Sequence, residues 1–225
     1  YTSDHGEMMG EHCMKGKGGN IYENNIHVPL IIYHPDYEGG RSCQSITSHL
    51  DLASTFVDMA TDNASEANRI KAGVVGYSLM EAMQNTNAPM RNQEGALFVY
   101  DMISMMDDDP EVKPHPNGEL ELHVDLNNRG YLRGIVTQDF KFARYFSPLN
   151  FNTPTDLESL YENNDVELYA MGTSECDNMA HPQGNNPGLV EDYNNKLNCI
   201  ISKEIGVDDG RETSNFIDGI EKYGK

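Results

Sequence analysis

The first 35 residues, YTSDHGEMMGEHCMKGKGGNIYENNIHVPLIIYHP, place a polar, glycine-rich loop between two strand-like segments. Residues 1–3 are typical of the end of a strand, because aromatic and β-branched side chains suit a pleated surface. The apolar run at residues 28–33 predicts a second strand, buried in a mostly parallel sheet, with Pro29 near its start or on an edge. Ligands of open α/β sheets bind beyond the carboxyl ends of the strands. The loop is therefore the expected position of a functional site.

Asp4 and His5 stand side by side directly after the first segment, and Gly6 follows them. A carboxylate and an imidazole in this position can hold a metal ion or move a proton. The same loop offers further ligands and two cations: Glu7, Glu11, His12, Lys15 and Lys17. This composition indicates a site that binds a cation and an anion together. The residues alone leave an alternative open, in which the pair is an ordinary surface turn and His12 is a loop histidine.

The chain is strongly acidic, with a formal net charge of −20 and a calculated isoelectric point of 4.6. Nucleic-acid phosphates require a basic surface, so this balance argues against nucleic acid as a partner, and equally against anionic membrane surfaces. No apolar run is long enough to span a membrane. The four cysteines form no C-x-x-C pair, which disfavours a zinc ribbon or a thioredoxin-like site. Reduced thiols are the default expectation, with a disulfide left open.

The rest of the chain predicts a mixed series of elements. The periodicity indicates a helix over residues 48–60, with an apolar face formed by Leu52, Phe56 and Met59. Further predictions are a short helix after residues 76–79, a strand at 96–100, a hairpin over 132–146, a strand or turn at 166–171, and a helix from Pro187 to Ile205 that Gly206 ends. Three arginines either line a substrate pocket or, as the acidic composition favours, pair with carboxylates: Arg129, Arg133 and Arg144.

Several of these segments together resemble the sulfatases, a branch of the alkaline phosphatase-like superfamily. The resemblance rests on SDHGEMMGEH, KG, YE and VPLII in the first 35 residues, and on SHLDLASTFVDMA at residues 48–60. It continues through the G-x-S-L step at residues 76–79, the KFAR strand, and ELYAMGTSECDN at residues 167–178. The chain departs from the family at Ser54, where proline is usual, and at Ala170, where aspartate is usual. The likeness extends to about residue 206.

The resemblance implies an α/β fold: the carboxyl-terminal part of an alkaline phosphatase-like sheet with flanking helices, plus a small antiparallel subdomain on a C-terminal helix. The implied division is residues 1–125 for the end of the central α/β domain, 126–206 for the α+β subdomain and 207–225 for a charged tail. The chain does not begin with Met, and its first residues are typical of the middle of a sheet. We therefore expect it to be the carboxyl-terminal part of a longer protein.

The resemblance also implies roles for single residues. Asp4 and His5 would be ligands of a divalent cation, with Ca²⁺ expected and Mg²⁺ or Mn²⁺ as alternatives. Lys17 would contact the sulfate and serve catalysis, with Lys15 as its competitor if the register shifts by two residues. His12 would face the substrate, unless it is a loop histidine. Sulfatases also use a formylglycine made from a cysteine in a C-x-P/A-x-R motif, and no cysteine of this chain lies in such a motif.

The expected activity is hydrolysis of a sulfate ester, either a small molecule or a carbohydrate, by an arylsulfatase or a choline-sulfatase-like enzyme. We expect the chain alone to be inactive, because it carries half of the metal and sulfate site. Two alternatives stay open: a phosphonate monoester or phosphodiester hydrolase of the same superfamily, and a non-catalytic protein that kept the fold. The sequence leaves the substrate, the oligomeric state and the compartment open.

Overall fold

The larger sheet among the described residues has four antiparallel strands, which lie side by side in the order 96–101, 131–136, 140–146 and 165–170. The computed structural model describes residues 1–61, 70, 72–101, 126–182, 184 and 186–211. The strands of these ranges are β1 Met8–Met9, β2 Lys15–Gly16, β3 Ala96–Asp101, β4 Tyr131–Val136, β5 Phe140–Phe146 and β6 Asp165–Ala170. The α-helices are α1 Glu23–Ile26, α2 Leu50–Met59, α3 Met80–Gln84, α4 Leu157–Asn163 and α5 Pro187–Glu204, with 3-10 turns at Glu11–Cys13 and Pro148–Asn150. The expected mixed α/β class is confirmed.

Strands β4 and β5 form the predicted hairpin. A short turn joins them, in which the Thr137 amide donates to the Phe140 carbonyl at 2.9 Å. Strand β6 then pairs with β5 in antiparallel register, and Lys141 lies opposite Tyr169. The predicted strand at residues 96–100 is confirmed, and residues 166–171, predicted as a strand or a turn, lie mostly in strand β6. Strand β3 pairs with β4, although it precedes residue 125. The division at 125/126 stays a prediction, and residues 212–225 of the expected tail lie outside the described ranges.

Helix α5 supplies the main apolar core by packing across this sheet. The buried side chains of this helix recur at helical spacing and include Val190, Tyr193, Leu197, Ile200 and Ile201. These side chains contact Phe142 and Leu168 of the sheet in one cluster. The predicted start and end are confirmed: Pro187 occupies the first turn, and Gly206 adopts a positive φ of 92° just after the helix. A left-handed residue at this position lets the chain end the helix.

The apolar run at residues 28–33 does not form the buried parallel strand that the sequence predicts. Within the described ranges its β pairing is a single antiparallel bridge between Thr2 and Leu30. Ile31 is 63% exposed and Tyr33 is 86% exposed. Both sheets of the described residues are antiparallel. The physical reason is that no described strand lies beside this run on its other edge, so its side chains have no sheet in which to bury.

Helix α2 is confirmed, but its orientation differs from the prediction. Phe56, on the apolar face, is 64% exposed, whereas the buried positions are polar: Asp51, Ser54, Thr55 and Asp58. The helix therefore turns its hydrogen-bonding face inward. Periodicity predicted the helix correctly and the direction of its apolar face wrongly, because a buried ion pair on the opposite face sets the orientation.

This ion pair joins Asp51 to Arg91, and both side chains are completely buried. The Asp51 carboxylate accepts from Arg91 Nη2 at 2.7 Å and Nε at 2.9 Å. It also accepts from the backbone amides of Ser48 and Tyr77, each at 2.8 Å. Arg91 Nη1 in turn donates to Glu204 at the end of α5. The Asp51 carboxylate thus connects α2 to the segment before α3, and through Arg91 and Glu204 it is also connected to α5.

The three arginines singled out in the sequence have different partners. Arg129 pairs with Asp165 at 2.6 Å, and Arg133 lies between Asp101 and Asp208. These two confirm the expected pairing with carboxylates. Arg144 instead donates to the amide oxygens of two asparagines of α5, Asn194 and Asn198, each at 2.7 Å. Burial lowers the pKa of Arg144 to about 10.

Candidate functional site

The segment Ser3–Gly6 forms a tight turn that is fastened to α1. Ser3 Oγ donates to the His5 carbonyl at 2.6 Å. The Gly6 amide donates to the Asn25 carbonyl at 2.9 Å, and the Glu7 amide donates to the Asn24 carbonyl at 3.0 Å. These bonds fix the backbone on which the Asp4 and His5 side chains stand. The predicted site residues therefore lie on a held turn rather than on a free loop.

Gly6 is required at this turn because a Cβ there would lie against the carbonyl oxygens of Asn24 and Asn25, well inside contact distance. We expect Gly6→Ala to lower the free energy of unfolding by about 1–3 kcal/mol, the usual penalty of overpacking. The matched control is Gly18→Ala, since a Cβ at Gly18 meets nothing within 4 Å. Urea denaturation of the two variants checks this, and equal midpoints would contradict it.

The hydrogen bonds of His5 define the state of its ring. Nδ1 lies 2.6 Å from the Gly6 carbonyl oxygen, which can only accept, so Nδ1 carries a proton. In the neutral ring Nε2 then presents a lone pair. This atom lies 3.6 Å from Asp4 Oδ2, and the Asp4 side chain is 85% exposed. A carboxylate oxygen and an imidazole lone pair are thus presented together, and both are ligand atoms for a divalent cation.

Lys17 completes this group. Its Nζ lies 2.8 Å from His5 Nε2 and donates to the lone pair. The ammonium therefore occupies the direction in which His5 would bind a cation. Lys15, the competitor, lies in β2 opposite Met9. The structure brings Asp4, His5 and Lys17 together, and this contact supports Lys17 over Lys15 as the site lysine.

His12 makes different contacts. Its ring stacks on Tyr22 with centroids 3.9 Å apart and planes 7° apart. Its Nε2 lies 3.3 Å from Oε2 of Glu175, a residue far along the sequence from the Asp4–His5 turn. The backbone at His12 adopts a positive φ of 51°. The role of His12 toward substrate stays a prediction, and these contacts are those of a histidine that shapes the loop.

Sequence reasoning missed a buried ionic group beside the loop. Lys141 of β5 is 2% exposed, and its Nζ lies between Glu23 Oε2, at 3.0 Å, and Glu175 Oε1. Glu23 also accepts from His27 Nδ1 at 2.6 Å. The three residues lie in segments that carry the family resemblance: Glu23 in YE, Lys141 in KFAR and Glu175 in ECDN. Nothing in them showed that residues so far apart along the chain share one cluster.

Two pKa shifts follow from these contacts. Burial acts to raise the pKa of the Glu23 carboxyl, but the hydrogen bonds from Lys141 and His27 prevail and lower it. Backbone hydrogen bonds lower the pKa of Glu11, whose Oε2 accepts from the Met9 amide at 2.7 Å. Both carboxylates are therefore held in the charged form that their donors require.

Among the described residues, no group of three or more histidine, cysteine, aspartate or glutamate side chains is arranged to hold a metal ion. Asp4 and His5 thus offer two ligands, which is part of a coordination shell. None of the described helices combines the length and the apolar composition that a membrane-spanning helix requires.

Comparison with known proteins defines the class of protein to which this turn and loop belong. Residues 1–62, which include Asp4, His5, Lys17 and all of α2, match the family model described as Sulfatase. Together with the relatives described next, this match shows that the chain is similar to members of the sulfatase family and supports a place in the alkaline phosphatase-like superfamily.

Three relatives show how far the likeness extends. An uncharacterized sulfatase, YidJ of Escherichia coli, is 45% identical over 60 residues, which is 27% of this chain and 12% of YidJ. Arylsulfatase K of Xenopus laevis is 26% identical over 206 residues, covering 89% of this chain and 30% of that protein. An N-acetylglucosamine-6-O-sulfatase of Bacteroides thetaiotaomicron is 27% identical over 152 residues, 67% of this chain and 22% of that protein. The chain thus spans less than a third of the length of each of these relatives.

Proposed function

We propose that the chain is the carboxyl-terminal part of a sulfuric ester hydrolase, of the arylsulfatase or choline-sulfatase-like kind, and carries half of its metal and sulfate site. The observation that carries the proposal is the contact of Lys17 Nζ with His5 Nε2 beside the Asp4 carboxylate. Two ligands for a cation, Asp4 and His5, and one positive charge for an oxyanion, Lys17, therefore lie side by side.

Asp4 and His5 would hold the divalent cation. The Asp4 carboxylate suits Ca²⁺, Mg²⁺ and Mn²⁺ alike, whereas an imidazole ligand is less usual for Ca²⁺. Ca²⁺ remains the proposed ion on the family resemblance, and the donor set makes a comparison of the three worthwhile. When bound, the ion would neutralise charge on the oxygens of the sulfate group.

Lys17 would provide the second positive charge. A lysine ammonium that is displaced from His5 Nε2 by the cation keeps three donors and can turn toward a sulfate oxygen. Because the charge on the nonbridging oxygens redistributes during ester cleavage, a positioned ammonium stabilises the transition state. His5, with Nδ1 fixed on the Gly6 carbonyl, keeps its orientation while this exchange of partners occurs.

The formylglycine nucleophile of the family is proposed to lie in another part of the protein, since the 225 residues contain no C-x-P/A-x-R motif. The chain alone would then bind a cation weakly and would not turn over a sulfate ester. A carbohydrate sulfate is the favoured substrate class, because one relative is described as an N-acetylglucosamine-6-O-sulfatase.

The test compares the 225-residue chain with the full-length product of its gene, using 4-nitrophenyl sulfate, bis(4-nitrophenyl) phosphate and phenyl phosphonate esters with Ca²⁺, Mg²⁺ or Mn²⁺. We expect sulfate-ester turnover by the full-length protein and none by the chain. Preference for a phosphorus ester would favour the sister hydrolases. Inactivity of the full-length protein on every ester would favour a non-catalytic protein, and clear turnover by the chain would contradict the proposed division of the site.

A further inference from the structure

One carboxylate contacts both ends of the loop that carries Lys17. The loop runs from His12 to Glu23, and Lys17 lies near its middle. At one end, His12 Nε2 lies 3.3 Å from Glu175 Oε2. At the other end, the Glu23 amide donates to Glu175 Oε1 at 2.9 Å. The two oxygens of Glu175, which follows β6, therefore hold the two ends of a loop more than 150 residues away along the chain.

The carboxylate is itself held in place. The Glu175 side chain is 7% exposed, and its Oε1 also accepts from the buried ammonium of Lys141. Lys141 belongs to β5, in the middle of the four-stranded sheet. A buried carboxylate needs such a countercharge, because removal from water penalises an isolated charge heavily. The rigid sheet thus provides the fixed end of the connection to the loop.

The loop needs this connection because of its own composition. Between its ends it contains three glycines, Gly16, Gly18 and Gly19, which favour many backbone conformations. Pairing of β2 with β1 and a 2.7 Å bond from Asn25 Nδ2 to the Gly18 carbonyl restrain part of this segment, and Glu175 holds its ends. His12 is further restrained by its stacking on Tyr22, the residue next to Glu23. Both ends of the loop therefore meet at one place, and the freedom of Lys17 is limited to the segment between them.

We propose that Glu175 is a positioning residue for Lys17, which it fixes by joining His12 to the start of α1, with Lys141 as its countercharge. This inference rests on the proposed function for the role of Lys17. It assigns to the C-terminal sheet a part in catalysis at the Asp4–His5 turn: the sheet holds the loop from which the ammonium reaches the substrate.

The first measurement is hydrogen–deuterium exchange of the 225-residue chain and its Glu175→Ala variant. We expect amide exchange in residues 10–19 to become at least about tenfold faster, while exchange in β4 and β5 stays unchanged, because opening is local. Glu158→Ala, at an exposed position of α4, is the matched control and should behave as wild type. If Glu175→Ala does not fold, His12→Phe replaces it, since phenylalanine keeps the stacking on Tyr22 and loses the bond to Glu175. Unchanged exchange in residues 10–19 of the folded variant would overturn the proposal.

The second measurement uses the full-length protein and separates positioning from a general loss of structure. We expect Glu175→Ala to lower kcat by about ten- to a hundredfold with little change in KM, as misplaced catalytic groups do. In a Lys17→Ala background the same change should have no further effect on kcat, because the two residues act as one unit. Independent, additive losses would overturn the proposal. If the wild-type protein hydrolyses no sulfate ester, the proposed function fails, and the exchange measurement still decides whether Glu175 fixes the loop.

Discussion

Replacing Asp51 with alanine is expected to lower the free energy of unfolding by about 3–5 kcal/mol, the range measured when one partner of a buried ion pair is removed. Arg91 would then keep a buried guanidinium with Glu204 as its remaining carboxylate partner among those described. The amides of Ser48 and Tyr77 would lose their acceptor as well. Each unsatisfied buried donor adds to the loss.

Urea denaturation followed by circular dichroism measures this effect on the 225-residue chain. Asp192→Ala provides the control, because Asp192 is exposed on α5 and a surface change of this kind stays within about 0.5 kcal/mol of wild type. Asp51→Asn should fall between the two, since an asparagine keeps the shape but not the charge. A midpoint for Asp51→Ala equal to that of Asp192→Ala would show that the ion pair does not hold α2 in place.

Replacing Lys17 with alanine in the full-length protein is expected to lower kcat for sulfate-ester hydrolysis by about 10²–10³-fold, the loss typical when one stabiliser of transition-state charge is removed. The side chain is exposed, and its described contact is the single bond to His5 Nε2. The free energy of unfolding should therefore stay within about 0.5 kcal/mol of wild type.

Lys15→Ala is the matched control for this variant. Lys15 is also exposed, has the same charge and lies two residues away, but it belongs to β2 opposite Met9. Steady-state kinetics of the two variants under identical conditions should show a large loss for Lys17→Ala and a change of less than about threefold for Lys15→Ala. The reverse result would show that the register of the site is shifted by two residues.

Local sequence signals predicted most of the elements. The hairpin of β4 and β5 and the long helix α5 were found from periodicity and turn residues alone, because their side chains bury against one another. The run at residues 28–33 and the outward face of α2 were predicted wrongly. In both cases an apolar pattern predicts burial, whereas the exposure of Tyr33 and Phe56 depends on which elements lie beside them.

The sequence likewise predicts some residues of the candidate site and misses others. Asp4, His5 and Lys17 were found because they lie within 14 residues of one another in a recognisable motif. The structure brings them together, and their chemical roles remain predictions. Glu175 and Lys141 were missed, because a pattern along the chain does not show which distant residues meet. The pairing of β5 with β6 brings the two near each other, and their contacts with His12 and Glu23 place them beside the loop.

The uncovered aliphatic and aromatic groups at Ile31, Tyr33 and Phe56 have a consequence for the behaviour of the isolated chain. With a net charge of −20, copies of the chain repel one another at neutral pH in spite of these groups. As the medium is acidified toward the isoelectric point of about 4.6, that repulsion disappears. The exposed apolar side chains of different copies can then associate. Light scattering should therefore rise on acidification, and Tyr33→Ser with Phe56→Ser should suppress the rise.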